Sequence, residues 1–142
     1  MIIKSIRQIV AGRELPSVPS GVTVREACHV LNRFNVGALV VMRGQALAAV
    51  LSERDVIRKC IGQNRLTSET LVDDVMTPAP RTIDIDSALA DALAIMSEGH
   101  FRHLPVIENG RVTAMLSIRD IPTDYRLMFE RFSEYRGSVA YR

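Results

Sequence analysis

The amino-acid sequence predicts an α+β fold in which two βαββα units pack on one another with pseudo-two-fold symmetry. The first observation behind this prediction is an internal repeat: a shift of 65 residues aligns 49–55 with 114–120, and five of the seven paired residues are identical. The second is the apolar spacing within each copy, which changes from the three- and four-residue spacing of a helix to the apolar runs of buried strands. Because a repeat defines the structural unit, both copies are expected to contain the same elements in the same order.

Each element of the first copy has its own signal. The elements are, in order, a short strand at 17–18, an amphipathic helix from Val24, two hairpin strands at 37–42 and 46–51, and a helix from 53 to about 62. Val24, Ala27 and Leu31 recur with the spacing of one buried helix face. Thr23, with an acid three residues later at Glu26, is typical of a helix N-cap.

The second copy is predicted to repeat this order. Its elements are a strand at 82–83, a helix that begins near Leu89, two hairpin strands at 103–107 and 112–116, and a shorter helix after Ile118. Ser87 is expected to cap the first of these helices, and Asn109-Gly110 is a strong signal for a hairpin turn. Pro122 is expected in the first turn of the shorter helix, where a proline is tolerated.

The two copies are expected to be stable only together. A three-stranded unit of about 60 residues, with its helices on one face, leaves apolar surface uncovered. The polar stretch 63–70 connects the copies, and 76–80 leads irregularly into the second. We therefore expect a first repeat with its N-terminal segment at 1–64, a second repeat at 65–124, and a C-terminal amphipathic helix and tail at 125–142.

Composition and charge exclude several classes of protein. Eighteen Lys and Arg residues against sixteen Asp and Glu residues give a net charge of +2, too small without clustering to mark a nucleic-acid or membrane surface. The longest apolar runs have strand length, far below the roughly 20 residues of a membrane span. Lys4, Arg7 and Arg13 interrupt the region where a secretory signal would be apolar. We expect a cytoplasmic protein that binds neither nucleic acid nor membrane.

The cysteines and histidines do not form a disulfide or metal-binding pattern. Cys28 and Cys60 occupy apolar positions of two predicted helices and are interpreted as core or interface residues rather than redox groups. His100 and His103 lie three residues apart in a segment that turns into a strand, where such side chains point to opposite faces. We therefore expect no metal site.

The order of elements, the 65-residue repeat and the doubled Ser-x-Arg-Asp together resemble a cystathionine-beta-synthase (CBS) domain pair, also called a Bateman module. The resemblance covers residues 6 to about 124, and its most specific stretches are 49–55 and 101–106. It implies that AMP, ADP, ATP, NAD or S-adenosylmethionine binds in clefts between the repeats as a regulatory ligand and controls an attached or partner protein. Little sequence lies outside the repeats, so we expect a chain like the stand-alone bacterial members, with no catalytic cofactor.

The resemblance also implies which residues hold the nucleotide. In this sequence they are Val18, Gly37, Ala38, Ser52, Arg54, Asp55, Thr82, Ile83, Arg102, His103, Pro105, Ser117, Arg119 and Asp120. Asp55 and Asp120 take the role of the acid that bonds the ribose hydroxyls, which suits a carboxylate because its two oxygens can accept from two neighbouring donors. Ser52 and Ser117 stand at helix starts, where unpaired backbone N–H groups favour a phosphate. A simpler interpretation of Ser-x-x-Asp is a helix cap, and both roles can coexist.

Arg102 and His103 open the first hairpin strand of the second copy, where the resemblance implies cationic phosphate ligands. Arg offers a forked set of donors, and His adds charge only when its pKa is raised. The alternative is a surface Arg beside a core His. The first copy has Gly37 and Ala38 at these positions, so the two clefts are expected to differ in how they bind charged ligands.

The chain departs from the family pattern at one position in each copy. The glycine that stands three residues before the motif Ser is Ala49 in the first copy and Ala114 in the second. Glycine allows a close approach between backbone and ligand. We therefore expect the two methyl groups to narrow the clefts.

These observations leave a leading hypothesis and an alternative. The leading hypothesis is a ligand-binding sensor, and the alternative is a structural protein–protein interaction module whose clefts are vestigial. An enzyme would need a nucleophile with a positioned base, paired carboxylates or a metal cluster, and the sequence offers none beyond the doubled Ser and Asp. No catalytic residue is predicted.

The C-terminal segment predicts a homodimer. Tyr125, Met128, Phe129, Phe132 and Tyr135 recur along one helical face, and an apolar stripe of this size is typical of an interaction site. The stripe can fold back onto its own repeats or pair with a second copy, as we expect. The apolar face of the helix after the first hairpin offers a further surface for two-fold pairing.

Overall fold

The computed structural model describes residues 3–140 of the chain, and the side chains of residues 3–134. Its main elements are α1 (Ile6–Val10), β1 (Ser17–Pro19), α2 (Val24–Phe34), β2 (Ala38–Arg43), β3 (Ala46–Ser52), α3 (Glu53–Asp55), β4 (Thr77–Pro78), β5 (Ile83–Asp84), α4 (Leu89–Gly99), β6 (His103–Glu108), β7 (Arg111–Ser117) and α5 (Thr123–Ala140). The helix predicted after the first hairpin is present but irregular, because α3 continues as a π turn at Val56–Cys60 and a 3-10 turn at Ile61–Gln63. Further 3-10 turns lie at Val72–Asp74 and Ile118–Asp120.

The two sheets are built in the same way. In the first, β1 is parallel to β2, β2 is antiparallel to β3, and the short β4 adds an edge strand to β3. In the second, β5 is parallel to β6 and β6 is antiparallel to β7. Leu39 faces Leu51 in the first hairpin as Leu104 faces Leu116 in the second, and each hairpin has a bulge at the equivalent position. The predicted α+β fold with its internal repeat is confirmed.

Two local predictions are also confirmed. The hydroxyl of Thr23 accepts a hydrogen bond from the backbone N–H of Glu26 at 3.1 Å and caps α2. Asn109 and Gly110 have φ angles of 52° and 77°, the conformation that a two-residue hairpin turn of matching twist requires.

Two other local predictions are wrong by a residue or two. Ala88, at the position equivalent to Thr23, stands at the N-cap of α4 without a side-chain hydrogen bond, so Ser87 does not cap this helix. The residue before Pro122 is extended, with φ −94° and ψ 127°, as expected before a proline because the ring clashes with a helical neighbour. The turn after β7 therefore stops at Asp120, and Pro122 lies just before α5.

The short helical segments that precede the repeats are exchanged between them. α1 precedes the first repeat, but Ile6 and Val10 are buried in the core of the second repeat. The turn Val72–Asp74 precedes the second repeat, but Val72 and Val75 are buried in the core of the first. The segment before each repeat thus completes the core of the other repeat. The boundary at residue 64 stays a prediction, and residues on both sides of it contribute to each core.

Polar clamps accompany this exchange. Arg7 on α1 binds Asp86 through two contacts of 3.1 Å and Glu108 through one of 2.7 Å, both in the second repeat. At the other exchange site, Asp73 accepts hydrogen bonds from the hydroxyl of Ser20 and from the backbone N–H of residue 21, and these bonds lower its pKa. Arg43, which corresponds to Glu108 in the repeat, adds a contact of 3.7 Å to Asp73. The equivalent positions 43 and 108 therefore carry opposite charges at the two clamps.

The sheets meet through a small apolar cluster. Ala38 and Val40 of β2 and Met115 of β7 are buried there, and β2 and β3 both contact β7. This contact brings the beginning of β2 close to the second repeat.

The C-terminal helix α5 divides its apolar stripe between the core and the surface. Tyr125 and Phe129 pack against the core of the second repeat, whereas Met128 and Phe132 are 56% and 59% exposed. The side chain of Tyr135 lies outside the described residues. Neither α5 nor another helix within residues 3–140 is long and apolar enough to cross a membrane.

The exchange of α1 can be tested through Ile6, which is fully buried in the core of the second repeat. Ile6→Ala is expected to lower the free energy of unfolding by about 2–5 kcal/mol, because it leaves a cavity in that core. The matched control is Leu71→Ala, since Leu71 occupies the equivalent position but is 42% exposed, with an expected loss below about 1 kcal/mol. Urea unfolding measures both, and equal losses would contradict the burial of Ile6, on which the exchange of α1 depends.

Candidate functional site

Two clefts open between the repeats. Cleft A has a volume of about 930 Å³ and contains the Ser-x-Arg-Asp turn of the second repeat, residues 117–120, together with side chains from 13–16. Cleft B has a volume of about 530 Å³ and contains the turn of the first repeat, residues 52–55, together with side chains from 77–81. Each cleft therefore combines the motif of one repeat with the segment that leads into the other.

Backbone hydrogen bonds hold both motif turns against the first hairpin strand of their own repeat. The N–H of Glu53 donates to the carbonyl of Gly37 at 3.0 Å, and the N–H of Ile118 donates to the carbonyl of Arg102 at 2.8 Å. These donors and acceptors are related by the same 65-residue shift. The position of each motif turn is thus set by main-chain atoms, which leaves the side chains available for the clefts.

Asp55 is a helix cap with two further partners. Its Oδ2 accepts from the N–H of Ser52 at 3.1 Å, while its own N–H donates to the Ser52 hydroxyl at 3.2 Å. Nζ of Lys59 lies 3.0 Å from Oδ1, and the hydroxyl of Thr77 donates to both carboxylate oxygens at 3.3 Å. Donors therefore surround the carboxylate, and its side chain is 10% exposed.

Asp120 is arranged in a similar way in cleft A. Its Oδ2 accepts from the N–H of Ser117 at 2.8 Å and lies 2.9 Å from Nη1 of Arg13. The side chain is 17% exposed, more than that of Asp55. The capping role that the motif favours is present in both repeats, and a cation accompanies each carboxylate.

Four residues line both clefts and form what we call the shared wall: Gly37, Glu53, Arg102 and His103. A Cβ atom on Gly37 would lie 3.3 Å from Cε1 of His103 and 3.5 Å from Oε2 of Glu53. The first repeat thus has no side chain at position 37, which is equivalent to Arg102 in the second repeat. This explains physically why the two repeats differ at 37 and 102.

His103 and Arg102 have different charges on this wall. Burial lowers the pKa of His103, and the nearby carboxylates of Glu53 and Asp120 oppose this only in part. The imidazole is therefore neutral near pH 7, contrary to a role as a cationic phosphate ligand. Arg102 is exposed and is the cation of the shared wall.

The structure places most of the predicted ligand residues in the clefts. Ala38 lines cleft A and Pro105 lines cleft B, while the motif residues divide between the clefts as described above. Val18 and Ile83 are instead buried in the two repeat cores, each 5% exposed, and Thr82 precedes β5 without lining either cleft. Their position gives no support to a ligand role.

Sequence reasoning missed several residues that line the clefts. Glu53 lines both clefts, and the segments that lead into the repeats supply the others: Arg13, Glu14 and Pro16 in cleft A, and Thr77, Pro80 and Arg81 in cleft B. The signal that could have identified them is the same 65-residue shift, which aligns 12–16 with 77–81.

Ala49 and Ala114 do not narrow the clefts. Both are buried in the repeat cores, whereas the residues that follow them, Val50 and Met115, line clefts B and A. Successive strand side chains point to opposite faces of a sheet, so the two methyl groups point away from the ligand space. The expectation drawn from these alanines is wrong.

The thiols lie close to cleft A. Cys28 lines the cleft, and burial raises the pKa of its thiol, which disfavours the reactive thiolate. Cys60 is buried, and both cysteines are free. Among the side chains that the structure describes, no group of three or more His, Cys, Asp or Glu residues is arranged to hold a metal ion.

The charge state of His103 can be measured by NMR titration. Its pKa is expected below 6.5, the ordinary histidine value, and Glu53→Gln should lower it further by removing a neighbouring negative charge. As the pH falls, the unfolded chain binds the proton at a higher pH than the folded protein does. The contribution of His103 to the free energy of unfolding is therefore fully present above pH 6.5 and decreases as the pH falls toward the pKa of the folded state. Glu26→Gln on the exposed face of α2 is the control, and a pKa above 6.5 would contradict the burial argument.

Comparison with known proteins agrees with this geometry. The family model for the CBS domain matches residues 6–62 and 72–121. The CBS domain-containing protein CBSCBSPB5 of Arabidopsis thaliana is 37% identical over 125 residues, which cover 87% of this chain and 23% of that protein. Several related proteins of the same plant are also matched over less than a quarter of their length.

Solved structures share the architecture. A CBS-domain containing protein from Agrobacterium tumefaciens is 29% identical with a TM-score of 0.76, covering 82% of this chain and 95% of that one. A CBS domain protein from Pyrobaculum aerophilum, complexed with AMP, is 25% identical with a TM-score of 0.78, covering 89% of this chain and 97% of that one. This chain belongs to the CBS domain family and consists of a CBS domain pair followed by the helix α5.

Proposed function

We propose that this CBS domain pair is a regulatory module that binds an adenine nucleotide, with AMP as the first candidate, and reports its presence to a partner protein. The observation that carries the proposal is the position of the doubled Ser-x-Arg-Asp turn, once in cleft A and once in cleft B. A helix cap alone would not require a cleft beside each copy. The AMP complex of the relative from Pyrobaculum aerophilum supports the class of ligand.

The two carboxylates are the proposed ribose ligands. A pair of ribose hydroxyls would replace the side-chain donors that now face each carboxylate, Arg13 at Asp120 and Lys59 with Thr77 at Asp55. The backbone caps would stay in place and hold the carboxylates at a fixed distance from the turn.

The phosphate is assigned to arginines rather than to helix ends. The turn after Ser117 is only three residues long, and the helix after Ser52 changes from α to π geometry after three residues, so neither motif begins a long regular α-helix. Arg54 in cleft B and Arg119 in cleft A occupy equivalent motif positions, and Arg102 faces both clefts. A guanidinium can form paired hydrogen bonds with phosphate oxygens.

The alternative function is a structural interaction module with vestigial clefts. The ion pairs of Asp55 with Lys59 and of Asp120 with Arg13 support this alternative, because a carboxylate that is already paired with a cation does not require a ligand. This alternative predicts no nucleotide binding in either cleft, and calorimetry distinguishes it from the proposal.

The proposed location is the cytoplasm. Cys28 and Cys60 are both free thiols, and unpaired thiols are typical of a reducing compartment. The nucleotide would act there as a regulatory ligand and not as a catalytic cofactor.

Binding of AMP, measured by isothermal titration calorimetry, tests the proposal. Asp55→Ala and Asp120→Ala should each weaken binding in their own cleft by about 1.5–3 kcal/mol, or tenfold and more, because a hydrogen bond to a charged group is lost. Asp91→Ala, an exposed acid on α4 outside both clefts, is the control and should leave the affinity unchanged. Unchanged affinity in both cleft variants would exclude the ribose assignment, and absence of binding in the parent protein would favour the structural module.

We also propose a homodimer formed through α5. Leu127 and Met128 are 47% and 56% exposed on this helix, and Ile57 and Ile61 after α3 are 59% and 57% exposed. Large apolar side chains grouped at a surface mark an interaction site, and two-fold symmetry would let one patch serve both subunits.

Light scattering on the full chain tests the dimer. We expect a dimer at micromolar concentration, and Met128→Glu should shift it toward the monomer by placing a charge in the apolar contact. Glu130→Gln, an exposed residue of the same helix, is the matched control. A monomeric parent protein would contradict the dimer and would indicate that the stripe serves only to pack α5 on the core of its own second repeat.

A further inference from the structure

The shared wall has a property that neither cleft has alone. Each residue of this wall lines both clefts, so a ligand in either cleft can contact it. Its charged members are Glu53 and Arg102, because burial keeps His103 neutral near pH 7. Two ligands bound together would thus face one shared cation.

We infer that the two clefts are coupled through Arg102, so that a phosphorylated nucleotide in one cleft weakens the binding of a phosphorylated nucleotide in the other. This inference rests on the proposed function and adds the rule by which the two clefts fill. A nucleoside without a phosphate group escapes the penalty, because it has no need of the shared cation.

The main chain holds Arg102 at a position where phosphates in the two clefts would compete for its side chain. The carbonyl of Arg102 accepts the N–H of Ile118 at 2.8 Å, which holds this residue at the junction of the clefts. A guanidinium carries a single positive charge, so a phosphate bound to it from one cleft offsets the charge that would attract a phosphate in the other. Once Arg102 is engaged, Glu53 remains as the charged group that the shared wall offers to the second ligand.

The remaining charges indicate which cleft fills first. Outside the shared wall, cleft B is lined by two arginines and one carboxylate, and cleft A by two arginines and two carboxylates. These groups are Arg54, Arg81 and Asp55 in cleft B, and Arg13, Arg119, Glu14 and Asp120 in cleft A. Cleft B therefore has the more positive lining and should take the first phosphate together with Arg102. Two phosphates on either side of a partly buried wall are also screened from each other less than in open solvent.

The test compares the affinity of cleft A for AMP with cleft B full and with cleft B disabled. In the parent protein, calorimetry should show a strong AMP step followed by a weak one. Asp55→Asn, which removes the proposed ribose acceptor in cleft B and keeps the side-chain size, should weaken cleft B about tenfold and give cleft A a step at least about fivefold stronger than the weak step of the parent, the lower end of typical coupling between sites. The same pair of measurements with adenosine should give equal affinities for cleft A.

Arg102→Ala identifies the carrier of the coupling. In this background, Asp55→Asn should no longer change the affinity of cleft A for AMP, because the shared cation is gone. Arg54→Ala and Arg119→Ala are the matched controls: each should weaken AMP in its own cleft, and Asp120→Asn should leave the strong step in place. If Asp55→Asn does not fold, Arg54→Ala takes its place as the variant that empties cleft B.

The outcomes separate this inference from the proposed function. A single AMP per parent chain, with binding in cleft A regained in Asp55→Asn, supports the coupling. Equal affinity of cleft A for AMP in the parent and in Asp55→Asn, no binding to cleft A in that variant, or coupling that persists in Arg102→Ala overturns it while leaving AMP binding intact. No AMP binding in any variant overturns the proposed function and the inference together.

Discussion

α1 lies on the second repeat although it precedes the first, and the turn Val72–Asp74 lies on the first although it precedes the second. The rest of the structure depends on this exchange, because it carries the following chain across the boundary between the repeats. β4 adds to the first sheet as a result, and Arg13 reaches Asp120 of the second repeat. The clefts form where these crossing segments meet the motif turns, so an apolar packing arrangement determines where polar chemistry is possible.

Much of this architecture could be predicted because the repeat carries the same information twice. The spacing of Val24, Ala27 and Leu31, the cap at Thr23 and the turn at Asn109-Gly110 are local signals, and local signals identified the elements and their order. The doubled Ser-x-Arg-Asp lines both clefts, and its role in binding a ligand stays a prediction. The sequence gives no local signal that the segment before each repeat packs on the other repeat. This packing depends on contacts between residues about 100 positions apart, such as Arg7 and Glu108.

The failures have physical causes at particular residues. The direction of Ala49 and Ala114 depends on strand register, and a shift of one residue would have turned them toward the clefts. The charge of His103 depends on burial between two repeats, since the same residue in an isolated copy would meet more solvent. The shared wall needs both repeats to exist at all, so Glu53 could not be recognised as one of its members from a motif that describes one repeat.

The two clamps of the exchanged segments carry opposite charges at one pair of equivalent positions, Arg43 and Glu108. If α1 docked on the first repeat, its Arg7 would approach Arg43, and if the turn at Asp73 docked on the second, that carboxylate would approach Asp86 and Glu108. Two acceptor surfaces of nearly identical shape are thereby made distinguishable to a folding chain. A chain with two similar repeats needs such a distinction, because apolar packing alone would accept either pairing. The charges of five side chains thus let each exchanged segment distinguish between the two halves of the same chain.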